Sequence, residues 1–126
     1  MMVVFEIDEG VHMGQYYNES RDSLKDHKDL PVGKLAKRTV LVDNEMTRVS
    51  YFEIEPGDNT GWHKHEFDYA ALYLTDAKLF HTRIDGTQFL SEHKAHEFKN
   101  HPVGIEHNVR SEADYTIKLL EIEYKK

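Results

Sequence analysis

The sequence predicts an antiparallel β-sandwich or β-barrel, and two observations carry that prediction. From Arg38 onward, short runs rich in β-branched and aromatic residues recur roughly every 8–12 residues, with a turn signal between each. The alternating helical segments that a parallel α/β sheet needs to join its strands are absent. Taken in order, Thr39 to Val42 is a largely β-branched run bounded by the turn-forming pair Asp43-Asn44. Arg48 to Glu55 alternates, with Phe52 and Ile54 on one face and Tyr51, Glu53 and Glu55 on the other, and Pro56-Gly57-Asp58-Asn59 stops it. Gly61 to His65 enters a further strand, and Tyr69 to Leu74 is a continuous apolar run closed by Thr75-Asp76. Leu79 to Ile84 and Thr87 to Leu90 flank Asp85-Gly86, the strongest hairpin signal in the chain. Pro102 to Gly104 punctuates a strand at about Glu106 to Arg110, and Tyr115 to Tyr124 makes a long final strand.

Residues 1–38 read differently. Gly10, Gly14, the pair Tyr16-Tyr17 and a charged stretch from Glu19 to Asp29 describe an irregular arm, with a short helix from about Ser20 to His27. Val3, Val4, Phe5, Tyr16 and Tyr17 bring apolar groups with no core of their own. The arm is therefore expected to cross to the partner in a homodimer or to cap the barrel domain of residues 39–126.

Composition narrows the function. A chain of 126 residues suits one domain and is short for two. Sixteen Lys and Arg against 23 Asp and Glu leave a net charge of −7, which repels phosphate backbones and argues against nucleic-acid binding. The longest apolar stretches, Met1 to Phe5 and Tyr69 to Leu74, fall far short of the ~18 residues a membrane-spanning helix needs. Glu6, Asp8 and Glu9 follow the first at once, unlike a secretory signal. No cysteine is present, so disulfides, thiolate metal sites and cysteine nucleophiles are excluded, and a soluble cytoplasmic domain is expected. Neither a Gly-x-Ser-x-Gly elbow nor a Gly-x-Gly-x-x-Gly loop occurs.

Nine histidines are the conspicuous feature. His12, His27, His81, His93, His96 and His101 sit mostly among charged neighbours and read as solvated surface or loop residues. His63 and His65 stand apart, because residues two apart on a strand share a face. Both imidazoles then project together, with Lys64 opposite, as a pair of adjacent ligands for a first-row transition metal.

Gly57, five intervening residues and His63-Lys64-His65 follow the spacing of the first cupin motif, and Pro102-Val103-Gly104-Ile105-Glu106-His107 matches the core of the second. Over about residues 39 to 124 the sequence resembles a small single-domain cupin. More narrowly, Gly61 to Tyr69 with Leu74-Thr75-Asp76, then Gly104 to Val109, is similar to the small cytosolic cupins that include the β-alanine degradation protein. The resemblance implies a double-stranded β-helix, or jelly roll, with a ligand site inside it. It also implies one divalent metal (Fe, Ni, Zn or Mn) held by His63, His65 and His107.

The chain departs from the family pattern at the carboxylate: Tyr69 occupies the position of the expected glutamate, six residues after the first histidine. A phenol with a pKa near ~10 is a poor metal ligand unless the ion drives its ionisation. Asp68 and Glu66 are acidic, but alternation turns both away. A three-histidine site with open positions is the expectation. Tyr69 then serves as ligand, hydrogen-bond donor or proton shuttle. His96 replaces the glycine that usually opens the second motif. Trp62, Phe67 and Tyr73, with Phe80 and Phe89, are candidates to line an apolar substrate pocket.

Three neutral imidazoles leave an ion its full charge, which favours an anionic small-molecule ligand. Iron would admit substrate and O₂ together, as in a dioxygenase, whereas Zn, Ni or Mn suits isomerase or lyase chemistry. An enzyme acting on a small organic acid or related metabolite is the first expectation. A non-catalytic cupin that binds or senses a small molecule is the alternative, motivated by the missing carboxylate.

Overall fold

The computed structural model describes residues 34–126 together with a two-residue strand at Val3–Val4. The helix expected at 20–27, the crossing or capping role of the arm, and His12 and His27 lie outside the described residues. The strands are β1 (Val3–Val4), β2 (Lys37–Asp43), β3 (Thr47–Ile54), β4 (His63–Lys64), β5 (Asp68–Tyr73), β6 (Ala77–Arg83), β7 (Gln88–His93), β8 (Phe98–His101), β9 (Glu106–Ser111) and β10 (Ile117–Tyr124). Every pairing between them is antiparallel, and no helix occurs among the described residues. A six-stranded sheet runs β1-β2-β3-β10-β5-β8 and a four-stranded sheet β4-β9-β6-β7, which together make an all-β jelly roll.

The turns form where the sequence marks them. Asn44 Oδ1 accepts the N–H groups of Met46 and Thr47 at 2.8 and 2.9 Å, which folds β2 back onto β3. Asp85 Oδ1 accepts the Thr87 N–H at 2.9 Å and closes the hairpin between β6 and β7. β10 lies at the centre of the larger sheet, with Ile117 to Tyr124 paired to β3 on one side and Leu119 to Tyr124 to β5 on the other.

Two elements differ from expectation. β7 continues to His93, beyond Leu90, and β8 has no counterpart in the sequence reading. Phe98 to Asn100 are exposed on this edge strand, so it lacks the alternation of a half-buried one. His96 takes a left-handed φ of 75° just before β8, and its N–H donates to the Tyr73 carbonyl at 2.6 Å. A left-handed torsion of this kind is one that glycine adopts without strain.

Between the sheets, Phe52 and Ile54 of β3, Ala71 and Tyr73 of β5, Leu79 of β6, Val109 of β9, and Ile117 and Leu119 of β10 form one apolar core. Burying a side chain such as Ile117, which is fully enclosed, contributes about 1.5–3 kcal/mol. The inward faces then turn polar along the same strands, at Ser50, Tyr69, His107, Glu121 and Glu123. Arg38 donates two hydrogen bonds to Ser50 Oγ at 3.1 and 3.0 Å. It also sits 3.6 Å from Glu123, which Arg48 approaches to 3.3 Å from the other side. Buried charge is tolerable here because it is shared among partners.

Candidate functional site

Strand geometry alone assembles the three histidines. β4 pairs with β9 so that His63 lies directly opposite His107 and Lys64 opposite Glu106. His65 continues that pairing, donating its N–H to the Ile105 carbonyl and accepting from the Gly104 N–H at 2.8 and 2.9 Å. His63 and His65 share a face, the cross-strand partner of one is His107, and all three side chains point inward. Their nitrogens lie within 4.8 Å of one another. His65 Nε2 is 3.0 Å from His63 Nε2 and 3.2 Å from His107 Nε2.

Those distances fit a bound ion. Metal–nitrogen bonds of about 2.0–2.1 Å at tetrahedral or octahedral angles place neighbouring ligand atoms roughly 3.0–3.4 Å apart. Protonation fits as well. His63 Nδ1 donates to the Gly61 carbonyl at 2.8 Å, which leaves the Nε2 lone pair facing its neighbours. Burial, before any other cause, pushes the His63 pKa down to about 4 and that of His65 to about 2, and holds His107 well below the usual range. All three rings are neutral near pH 7. A single Nε2–H on His65 can serve only one of its two neighbours well, whereas one cation would satisfy three lone pairs at once.

Tyr69 does not join the cluster as a ligand of the usual kind. Its ring stacks on His65, with centroids 3.8 Å apart and planes at 15°, and His101 stacks on its other side at 4.9 Å. Burial foremost holds its phenol above the ordinary range, so the hydroxyl keeps its proton. Asp68 is exposed and accepts the Val103 N–H at 2.8 Å, and Glu66 is exposed. The carboxylate beside the imidazoles comes instead from β10: Glu121 Oε2 lies 4.0 Å from His65 Nε2. Glu121 Oε1 is buried with no hydrogen-bond partner among the described residues. Burial first, then the charge of Glu123, pushes the Glu121 pKa up to about 8.

His63 and His107 open onto a cavity of about 270 Å³ between the sheets. Tyr73 and Phe89 line it, together with Tyr69 and Glu121. Trp62, Phe67 and Phe80 lie outside its lining: Trp62 is buried one position off the inward parity of His63 and His65. His81, His93 and His101 are a correction to the surface reading, because all three line the cavity. The parity linking His81 to Leu79 was the available signal. Arg83 also reaches the cavity, and its Nε is buried with no hydrogen-bond partner among the described residues. Among those residues, no helix is long and apolar enough to cross a membrane.

A jelly roll that brings three inward histidines together from two separated segments has the architecture of a cupin. No protein-family model matches the chain. Relatives do. The β-alanine degradation protein BauB of Pseudomonas aeruginosa is 34% identical over 89 residues, covering 69% of this chain and 90% of BauB. The crystal structure of a cupin domain from Bordetella pertussis Tohama I superposes with a TM-score of 0.71 at 33% identity, over 75% of this chain and 98% of that one. Oxalate decarboxylase of Bacillus subtilis, studied for its Mn(II) centres, shares the fold alone, with a TM-score of 0.59 and 19% identity over 74% of this chain and 26% of that one. The chain belongs to the small-cupin family of BauB.

Proposed function

We propose that this protein is a metal-dependent cupin enzyme acting on a small organic acid. The observation that carries the reading is the convergence of three buried, neutral imidazole nitrogens at separations of 3.0 and 3.2 Å. His63, His65 and His107 would hold the ion, with the Glu121 carboxylate close enough to join them. Such an ion supplies Lewis-acid polarisation of a bound carboxylate or, if it is iron, a place for dioxygen beside the substrate.

The rest of the chemistry falls to the chain. Arg83, with its unpartnered Nε, and Lys99 bring positive charge to the cavity and favour an anionic guest. The Tyr69 hydroxyl, kept protonated by burial, would offer a hydrogen bond to that guest. Leu79, Val109 and Leu119 close off the apolar side and exclude water. A dioxygenase, isomerase or lyase reaction is consistent with this arrangement. The substitution of Tyr69 for the family glutamate favours a second reading, a ligand-binding cupin without turnover.

Elemental analysis of the purified protein tests the proposal. About one transition metal per chain is expected, falling below roughly a tenth of that in a His63→Ala, His65→Ala double variant whose circular dichroism matches the parent. Undiminished metal in the folded double variant would sink the assignment. A metabolite panel that shifts the melting temperature without turnover, across several reconstituted metals, would favour the second reading.

A further inference from the structure

The far edge of the same four-stranded sheet carries a second group of chemistry-bearing side chains, which the metal site does not use. On β7, Ser91 and His93 are two residues apart and face the cavity together, and Glu97 follows in the turn before β8. Ser91 Oγ is 2.9 Å from His93 Nε2, and His93 Nδ1 is 2.7 Å from a Glu97 carboxylate oxygen. The polarity of this chain follows from its end. The Glu97 carboxylate is held below its usual pKa, foremost by this hydrogen bond from His93, so it only accepts, and Nδ1 carries the ring proton. With the ring proton on Nδ1, Nε2 is the acceptor for the Ser91 hydroxyl. His81 Nε2, 2.8 Å from the same Oγ, donates from the other side.

Packing fixes both rings. Tyr73 stacks on His93 with centroids 4.1 Å apart and planes at 8°, and Phe89 stacks on His81 at 4.4 Å and 7°. A hydroxyl, a base within hydrogen-bond reach and a carboxylate orienting that base are the three parts that general-base activation of a serine requires. The hydroxyl and the base are held on a strand and by stacked rings, and the carboxylate sits in the short turn that joins β7 to β8.

We propose that Ser91, His93 and Glu97 form a second reactive centre, an activated serine that accepts the acyl group of a small carboxylate-bearing ester. Arg83 and Lys99, in the same cavity, supply the charge that selects the carboxylate end. Ser91 Oγ bonds to the acyl carbon while its proton passes to His93 Nε2. The ester C–O bond breaks, and His93 returns that proton to the departing alcohol. Water, the co-reactant, then attacks the acyl-serine as His93 takes one of its protons, releasing the acid and restoring the Ser91 hydroxyl.

Diisopropyl fluorophosphate reads out the centre directly, because an activated serine displaces its fluoride and keeps the phosphoryl group. The full chain, incubated with this reagent and digested for peptide mapping, is expected to carry one adduct, on Ser91. The adduct is lost in Ser91→Ala, and its rate falls by about 10²-fold or more in His93→Gln. Glu97→Gln, at a more exposed position that leaves the strand intact, is expected to slow labelling as well, so the test stands even if His93→Gln fails to fold. An unlabelled Ser91 in the parent protein, or folded His93→Gln and Glu97→Gln variants that label at the parent rate, would overturn the proposal. Metal content is measured on a parallel aliquot, so either reading can fail without the other.

Discussion

The interior of the barrel has two ends built from the same strands and buried to the same degree, yet they hold opposite chemistry. Along β10, Ile117 and Leu119 occupy one end and Glu121 and Glu123 the other. Along β9 the contrast is Val109 against His107, and along β3 it is Phe52 and Ile54 against Ser50. At the apolar end burial itself stabilises the fold. At the polar end burial works against every titratable group, depressing the three histidines and raising Glu121. The strands are thus shared while the free-energy terms have opposite sign, which marks the polar end as kept for its chemistry and not for stability.

That contrast can be broken in several ways. The largest expected effect is at the apolar end, where Ile117→Ala should lower the unfolding free energy by about 2–5 kcal/mol in urea titrations while metal content per folded chain stays unchanged. A loss under about 1 kcal/mol would mean that the two ends do not divide the labour as described.

Next comes the pH dependence of the metal-free protein. The unfolded chain protonates His63, His65 and His107 below pH 6.5 while the fold keeps them neutral, so stability drops as pH falls from 6.5. The slope is up to about 1.4 kcal/mol per pH unit for each ring. Glu121 acts in the reverse direction. Its pKa rises from 4.5 to about 8, so the stability it adds is lost as pH climbs through that window, and Glu123, also raised, works the same way. Three rings outweigh the carboxyls below 6.5 and only the carboxyls titrate above it, which places the maximum near pH 6.5. Thermal melts in chelator from pH 4.5 to 8.5 measure this, and a steady rise to 8.5 would contradict it.

Glu121→Gln sharpens the comparison further. It should flatten the decline above pH 6.5 and weaken metal binding by about 10–100-fold in competition with a chromophoric chelator. Unchanged affinity would remove Glu121 from the ion's surroundings. The smallest effect is expected outside both ends, at His96. His96→Gly, which relieves a φ of 75°, should stabilise the protein by about 1 kcal/mol in the same titrations.

The apolar end was legible in the sequence because Phe52 and Ile54 alternate with polar residues, and the hairpin of β6 and β7 because Asp85-Gly86 announces it. The histidine triad was legible for a different reason: residue parity and motif spacing both select His63, His65 and His107. Glu121 was not, because β10 inverts the usual rule. Its carboxylates face inward while Leu120 and Ile122 sit half-buried on the other face, so no hydrophobic pattern points to them. His81, His93 and His101 were hidden because charged residues nearby in sequence suggested a solvated surface, whereas Arg83 and Lys99 among them line the cavity too. β8 was hidden because an exposed edge strand with a single inward ring carries almost no periodic signal.

The clasp between His63 and the Gly61 carbonyl reaches beyond one ring. Gly61 is buried with φ at 81°, a torsion that any side chain would oppose. The acceptor that chooses which imidazole nitrogen faces inward is therefore delivered by a peptide unit, and the choice is settled as the chain folds. An incoming ion would meet a donor already aimed and spend little entropy aligning it. Loss of the centre can accordingly begin at a position that contributes no side chain to it.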